Sequence, residues 1–122
     1  MLKNIYRAKI QGTNMWIKGY LHSVYGNGFD SIQDAENHKR IEYIKTDTIG
    51  MSLGRIDKFG NEIFEGDYNE EGDCVIFCEK CMGFQFSIIN EDYTTVLECH
   101  NCDGNFGFQD AIDDFIVKGS IY

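Results

Sequence analysis

The chain has 122 residues, 43% of them hydrophobic, and a formal net charge of −9. That is enough chain for one ordinary domain with a real core, and no apolar run approaches the roughly 18 residues that a membrane span needs. The charge is uneven: residues 1–60 hold nine Lys/Arg and six Asp/Glu, whereas residues 61–122 hold two and fourteen, which argues against unspecific binding of nucleic acid by the second half.

Strand signals dominate the chain order. The opening "MLKNIYRAKIQGTNMW" has no continuous apolar stretch behind its charges, so it does not read as a signal peptide. The expected compartment is therefore a reducing cytoplasm. "NIYRAKI" (4–10) and "MWIKGYLHSVY" (15–25) are rich in β-branched and aromatic residues, and "QGTN" between them predicts a hairpin turn. "GNG" (26–28) predicts another turn. "SIQDAENHKR" (31–40) fits a short helix capped at Ser31 or a loop. "IEYIKTDTIG" (41–50) alternates and predicts a strand. "DKFGNEIFEGD" (57–67) has a tight turn at its centre that needs positive φ at Gly60 or Asn61. "DCVIFC" (73–78), "FQFSIIN" (84–90) and "TTVLEC" (94–99) predict three more strands. "QDAIDDF" (109–115) suits one helical turn, and "FIVKGSIY" (115–122) a closing strand. No segment carries a long helical period and there is no proline. The expected class is mainly β, α+β at most, built as a small barrel or sandwich. A single domain is expected over 1–122, with a β-rich part at 1–60 and a barrel at 61–122.

The stretch "FCEKCMGFQFSIINEDYTTVLECHNCDGNF" repeats Cys-x-x-Cys-x-Gly, at Cys78, Cys81, Gly83 and at Cys99, Cys102, Gly104. Each Cys-x-x-Cys turn can supply two thiolates to a tetrahedral zinc, about 2.3 Å from the ion. The glycine after each pair is expected to turn the backbone and aim amide N–H groups at the sulfurs. Seventeen residues separate Cys81 from Cys99, a spacing within the range of four-cysteine zinc sites. They read as strand, turn, strand, which resembles a zinc ribbon with knuckles at 78–104. Cys78, Cys81, Cys99 and Cys102 are thus the candidate ligands of one structural zinc, since four thiolates leave no position open for water or substrate. Disulfides would need an oxidising compartment. A redox pair would want its first cysteine at a helix N-terminus, and an iron–sulfur cluster is the remaining four-cysteine alternative. His100 lies inside the second knuckle as a substitute ligand or an exposed residue. Cys74 alternates with apolar neighbours in "CVIF" and suits a buried strand position better than a nucleophile.

No G-x-S-x-G, Walker or H-E-x-x-H pattern is present, His22 and His38 lack partnered motifs, and the chain is expected not to be an enzyme. The aromatics Tyr6, Trp16, Tyr20 and Tyr25 interleave with Lys3, Arg7, Lys9 and Lys18. The plain reading is one core face and one solvated face of a hairpin. The functional reading is a nucleic-acid or nucleotide face over residues 3–25. The acidic second half has two readings of its own: a solvated surface, or a face that meets a basic protein partner or mimics nucleic acid.

"YRAKIQGTNMWIKGYL" (6–21) resembles the opening of the YopX proteins of phages and prophages. "IKTDTIGMSLGRIDKFGNEIFEGDY" (44–68) resembles their central signature more closely, with its Thr-hydrophobic-Gly step, its Gly-x-x-Asp-x-x-Gly turn and its Glu-Ile-aromatic-Glu-Gly-Asp run. "FIVKGSIY" is similar to their closing strand. The chain departs from the family pattern at Met51, Ser52, Leu53 and Gly54, lacks the Asn-Pro tail, and adds the cysteine knuckles. The resemblance implies a small phage-encoded protein with an SH3-like barrel beginning near Glu65-Gly66-Asp67, acting in a bacterial cytoplasm. It implies no catalytic activity. Its expected role is to bind a host macromolecule, a host protein foremost, and to inhibit or redirect a host or defence system. Nucleic acid is the alternative ligand, no membrane is expected, and exposed strand edges make a homo-oligomer a further expectation.

Overall fold

A computed structural model of the chain describes residues 4–23, 28–79, 82–88 and 111–122. Among these residues the protein is mainly β, with ten strands in two antiparallel sheets and two single-turn 3₁₀ helices. The chain divides into two compact units, Met1–Ser52 and Leu53–Tyr122. No helix among the described residues is long and apolar enough to cross a membrane.

In the first unit, β1 (Tyr6–Lys9) and β2 (Trp16–His22) form the expected hairpin. β3 (Ser31–Asp34) pairs with β2, β4 (Ile41–Tyr43) pairs with β3, and the start of β5 (Gly50–Ile56) pairs with β1. The sheet then closes on itself. An antiparallel bridge joins Ile44, just past β4, to Ile10, just past β1, with Gln11 N–H donating to Tyr43 O and Lys45 N–H to Lys9 O. Because side chains alternate along a strand, one set of residues fills the inside of this ring. Ala8, Ile17, Ile32 and Ile44 are buried there, and Tyr6, Ile10, Leu21 and Ile49 pack against them. Each fully buried isoleucine contributes on the order of 1.5–3 kcal/mol. Gly19 is the tight point: an added Cβ would lie 1.8 Å from the Gln33 carbonyl oxygen.

Two expectations change here. Residues 31–40 are neither a helix nor wholly a loop, because Ser31–Asp34 is β3. Ile32 is its one apolar inward residue, and Asp34 Oδ1 closes the following turn by accepting from the N–H groups of Glu36 and Asn37. Residues 41–50 are not one strand either. A 3₁₀ turn at Thr46–Thr48 separates β4 from β5. Thr48 Oγ1 donates to Lys45 O and accepts from Lys9 N–H, which fixes that turn against β1.

In the second unit, the end of β5 and β6 (Glu62–Phe64) form a hairpin, and β7 (Asp67–Tyr68), β8 (Asp73–Cys78), β9 (Gly83–Ile88) and β10 (Gly119–Ser120) form a sheet in the order β10-β7-β8-β9. The hairpin turn is the one expected, with Gly60 at φ +85°. Gly60 N–H donates to Asp57 O and Asp57 N–H to Asn61 O, so a β-turn is followed by one left-handed residue. Gly66 holds φ +96°, and a Cβ there would meet the Tyr122 ring at 2.7 Å. Ile63, Val75, Phe86, Ile112 and Phe115 form the core, with the Phe86 and Phe115 rings stacked at 5.5 Å. The expected helical turn at 109–115 is a 3₁₀ helix at Ile112–Asp114. The closing strand shortens to β10. The predicted strand 94–99 lies outside the described residues.

Candidate functional site

The register of the first unit sorts the aromatic and basic residues of its opening hairpin. Arg7, Lys9, Trp16, Lys18, Tyr20 and His22 share the outer face of β1 and β2, since Arg7 pairs with Lys18 and Lys9 with Trp16. Tyr6, which the sequence places in the same basic aromatic set, belongs to the inner face and packs against the core. Lys3 and Tyr25 lie outside the described residues. The outer face continues across the sheet. Gln33 and Ser31 on β3 stand opposite Tyr20 and His22. Ile41 and Tyr43 on β4 stand opposite Gln33 and Ser31, and Gly50 on β5 stands opposite Arg7.

Every outward position on these five strands is therefore a cation, an aromatic, or a neutral residue. In a chain with 20 Asp/Glu, no carboxylate occupies any of them. Asp34 and Glu42 occupy inward register positions and are held by Arg40 at 3.3 Å each, and Asp30, just before β3, accepts from Ser31 Oγ at 3.1 Å. Hydrogen bonds from the Glu36 and Asn37 N–H groups, more than the Arg40 charge, hold the Asp34 carboxyl below the usual carboxylate range.

At the start of β2 stands Trp16, the chain's one tryptophan, 38% exposed on a strand whose inward neighbour Ile17 is buried. The Arg7 guanidinium lies 4.4 Å and the Lys9 ammonium 5.2 Å from its ring centroid, both within cation–π range. Tyr20 meets the His38 ring edge-on at 6.3 Å, and His22 Nε2 lies 3.2 Å from Gln33 Oε1, whose amide nitrogen donates to His38 O. Ile41 and Tyr43 are 48% and 44% exposed. The face thus presents large flat side chains braced by cations. The contribution of β3 and β4 to it was not read from the sequence, although the alternation in "SIQD" and "IEYI" carries it.

Of the four candidate zinc ligands, Cys78 lies among the described residues; Cys81, Cys99 and Cys102 lie outside them. Cys78 ends β8, is 8% exposed, and pairs with Gly83 as the last rung of the β8–β9 hairpin. That rung closes a hairpin whose loop includes Lys80 and Cys81, which lie outside the described residues. Met82, just before Gly83, has a left-handed backbone at φ 54°. Cys74 is 0% exposed on β8. Burial, with the Asp67 and Glu65 charges adding to it, pushes its thiol up to about 12, so at neutral pH it is a protonated packing group and not a nucleophile.

In the second unit Asp57 is 6% exposed. Its Oδ1 accepts from the N–H groups of Phe59 and Asn61, and its Oδ2 from Asn61 Nδ2 and Val117 N–H. Asp67 is 0% exposed and its Oδ2 accepts from Phe64 N–H. These two carboxylates are internal ties of the fold. Arg55 pairs with Asp113, while Glu70, Glu71 and Asp114 line an open depression of about 270 Å³ with Phe59 and Lys118. Comparison with family models, with curated proteins and with solved structures gives no match to this chain.

Proposed function

We propose that this protein is a non-enzymatic accessory protein of a phage or prophage, akin to the YopX proteins, that binds a host macromolecule through the outer face of its first unit. The observation that carries the reading is the run of outward positions on β1 to β5 that holds Trp16, Tyr20 and Tyr43 with Arg7, Lys9 and Lys18 and no carboxylate. Aromatic and arginine side chains of this kind dominate the energetics of binding surfaces. Placing three cations and three aromatics outward serves no packing purpose that the buried Ala8, Ile17, Ile32 and Ile44 do not already meet.

The proposed likeness to those proteins would bring with it an SH3-like barrel from Glu65 onward. Four antiparallel strands, of which the first in the chain is Asp67–Tyr68, support that part of the reading. In the same unit Cys78, Cys81, Cys99 and Cys102 would hold one zinc as a structural staple. The hairpin turn that follows Cys78 and the burial of that thiol suit a knuckle. A closed four-thiolate site contributes folding energy and no reaction.

The test is capture from a bacterial host lysate at low and high salt, using the immobilised full chain beside a Trp16→Ala, Lys18→Glu double variant. A specific partner held by the parent and lost by the variant is the expected outcome. Recovery of the same material by both, or of nothing by either, overturns the reading.

A further inference from the structure

Resting on the proposal that this outer face is the working surface, we infer that its ligand is single-stranded nucleic acid, with bases stacked on Trp16 and Tyr20 and the phosphate chain following Arg7, Lys9 and Lys18. Charge complementarity is the first argument. The outward positions of five strands carry three permanent cations and no acid, whereas residues 61–122 hold fourteen acids and two cations. A polyanion therefore meets a favourable surface on this hairpin, and the charge of the second half opposes it. Geometry is the second argument. Arg7 and Lys9 stand 4.4 and 5.2 Å from the Trp16 ring centroid, which puts a cation beside whatever stacks on the indole. A base on the ring brings its own phosphate to those two groups.

The spacing of the aromatics selects the strand state. Trp16 and Tyr20 sit four residues apart on the outer face of β2, about 13 Å along a strand. A row of separated platforms stacks bases that are already splayed, and a duplex keeps its base faces covered. A protein partner would have to be acidic to fit the cations.

The chain's single tryptophan lies in the proposed contact, so its emission reports binding to this face with no label. The full chain is titrated at low salt with oligothymidylate, with a duplex of the same length, and with inorganic polyphosphate. Saturable quenching by oligothymidylate is expected, at least tenfold tighter than by duplex or polyphosphate. Its affinity should fall with salt at a log–log slope near −2, from about 0.7 per neutralised phosphate on a single strand. With a labelled oligonucleotide, Trp16→Ala and Lys18→Glu should each weaken binding about tenfold. Trp16→Phe should retain most of it, and Lys58→Glu, in the second unit, all of it. Equal binding of polyphosphate, equal binding of duplex, or flat curves overturns the inference. If the curves are flat while lysate capture still yields a partner lost in the Trp16→Ala, Lys18→Glu variant, the working face stands and its ligand is a protein. If both fail, both readings fall.

Discussion

Asp57 shows how a single side chain can serve a whole signature. The Gly-x-x-Asp-x-x-Gly turn places its carboxylate where four donors converge, two from the hairpin backbone, one from the Asn61 amide and one from Val117 far along the chain. Burial by itself would raise this carboxyl. The hydrogen bonds from Asn61, Val117 and Phe59 outweigh it and hold the group below the ordinary carboxylate range. A lowered folded pKa means that this contribution is fully present above the unfolded value of about 3.9. It is lost as pH falls through the still lower folded value. Acid unfolding of the parent should therefore begin below about pH 4, and an Asp57→Asn variant should show a shallower loss across that window. Asn keeps one acceptor but points an NH₂ group at Val117 N–H or at the hairpin amides, leaving buried donors unpaired. We expect Asp57→Asn to cost about 2–4 kcal/mol, measured by urea unfolding at pH 7. A variant as stable as the parent would show that these bonds do not hold the turn. The aspartate was legible as part of a turn, but its bond to Val117 was not, because nothing local links residues sixty apart.

At the scale of elements, the sequence was most informative where apolar alternation was strong. "DCVIFC" is β8 over the same residues, Asp73–Cys78, and "FQFSIIN" overlaps β9, Gly83–Ile88. β1 and β2 follow from their aromatic and β-branched residues and from the turn between them. β3 was missed because Ile32 is its sole apolar inward residue, and the polar run after it suits a helix equally well. β5 was missed because glycines punctuate "GMSLGRI", and its pairing with β1 at Gly50 and Met51 is a tertiary fact. The same pairings decided the candidate site. Trp16 and its cations were visible as a set, but the exclusion of Tyr6 from that set, and the addition of Gln33, Ile41 and Tyr43, came from register alone. Gly19 offers a test at this scale. It sits inside β2, where a Cβ would overlap the Gln33 carbonyl, so Gly19→Ala must push β3 away from β2. A cost of about 3 kcal/mol is expected, read as a lowered melting temperature. An unchanged melting temperature would mean that β3 does not cross β2 as closely as described.

Over the whole molecule, charge and cysteine are both partitioned. The second half holds fourteen of the 20 acids and all five cysteines, and the outer face of the first unit holds the aromatic and basic set. The cysteines give a counting test. With zinc on Cys78, Cys81, Cys99 and Cys102 and with Cys74 buried and protonated, the native chain should show no fast-reacting thiol. Chelator should release one zinc and expose four thiols, and denaturant should expose the fifth. Zinc removal should also lower the melting temperature, since such a site contributes on the order of 10 kcal/mol in small zinc modules. Four fast thiols before chelator would contradict the metal assignment. The central claim concerns the other unit. The most direct measurement is an amide chemical-shift map of the full chain titrated with oligothymidylate. Shifts concentrated at Arg7, Lys9, Trp16, Lys18 and Tyr20 are expected. Shifts confined to residues 53–122, or none at saturating oligonucleotide, would contradict it.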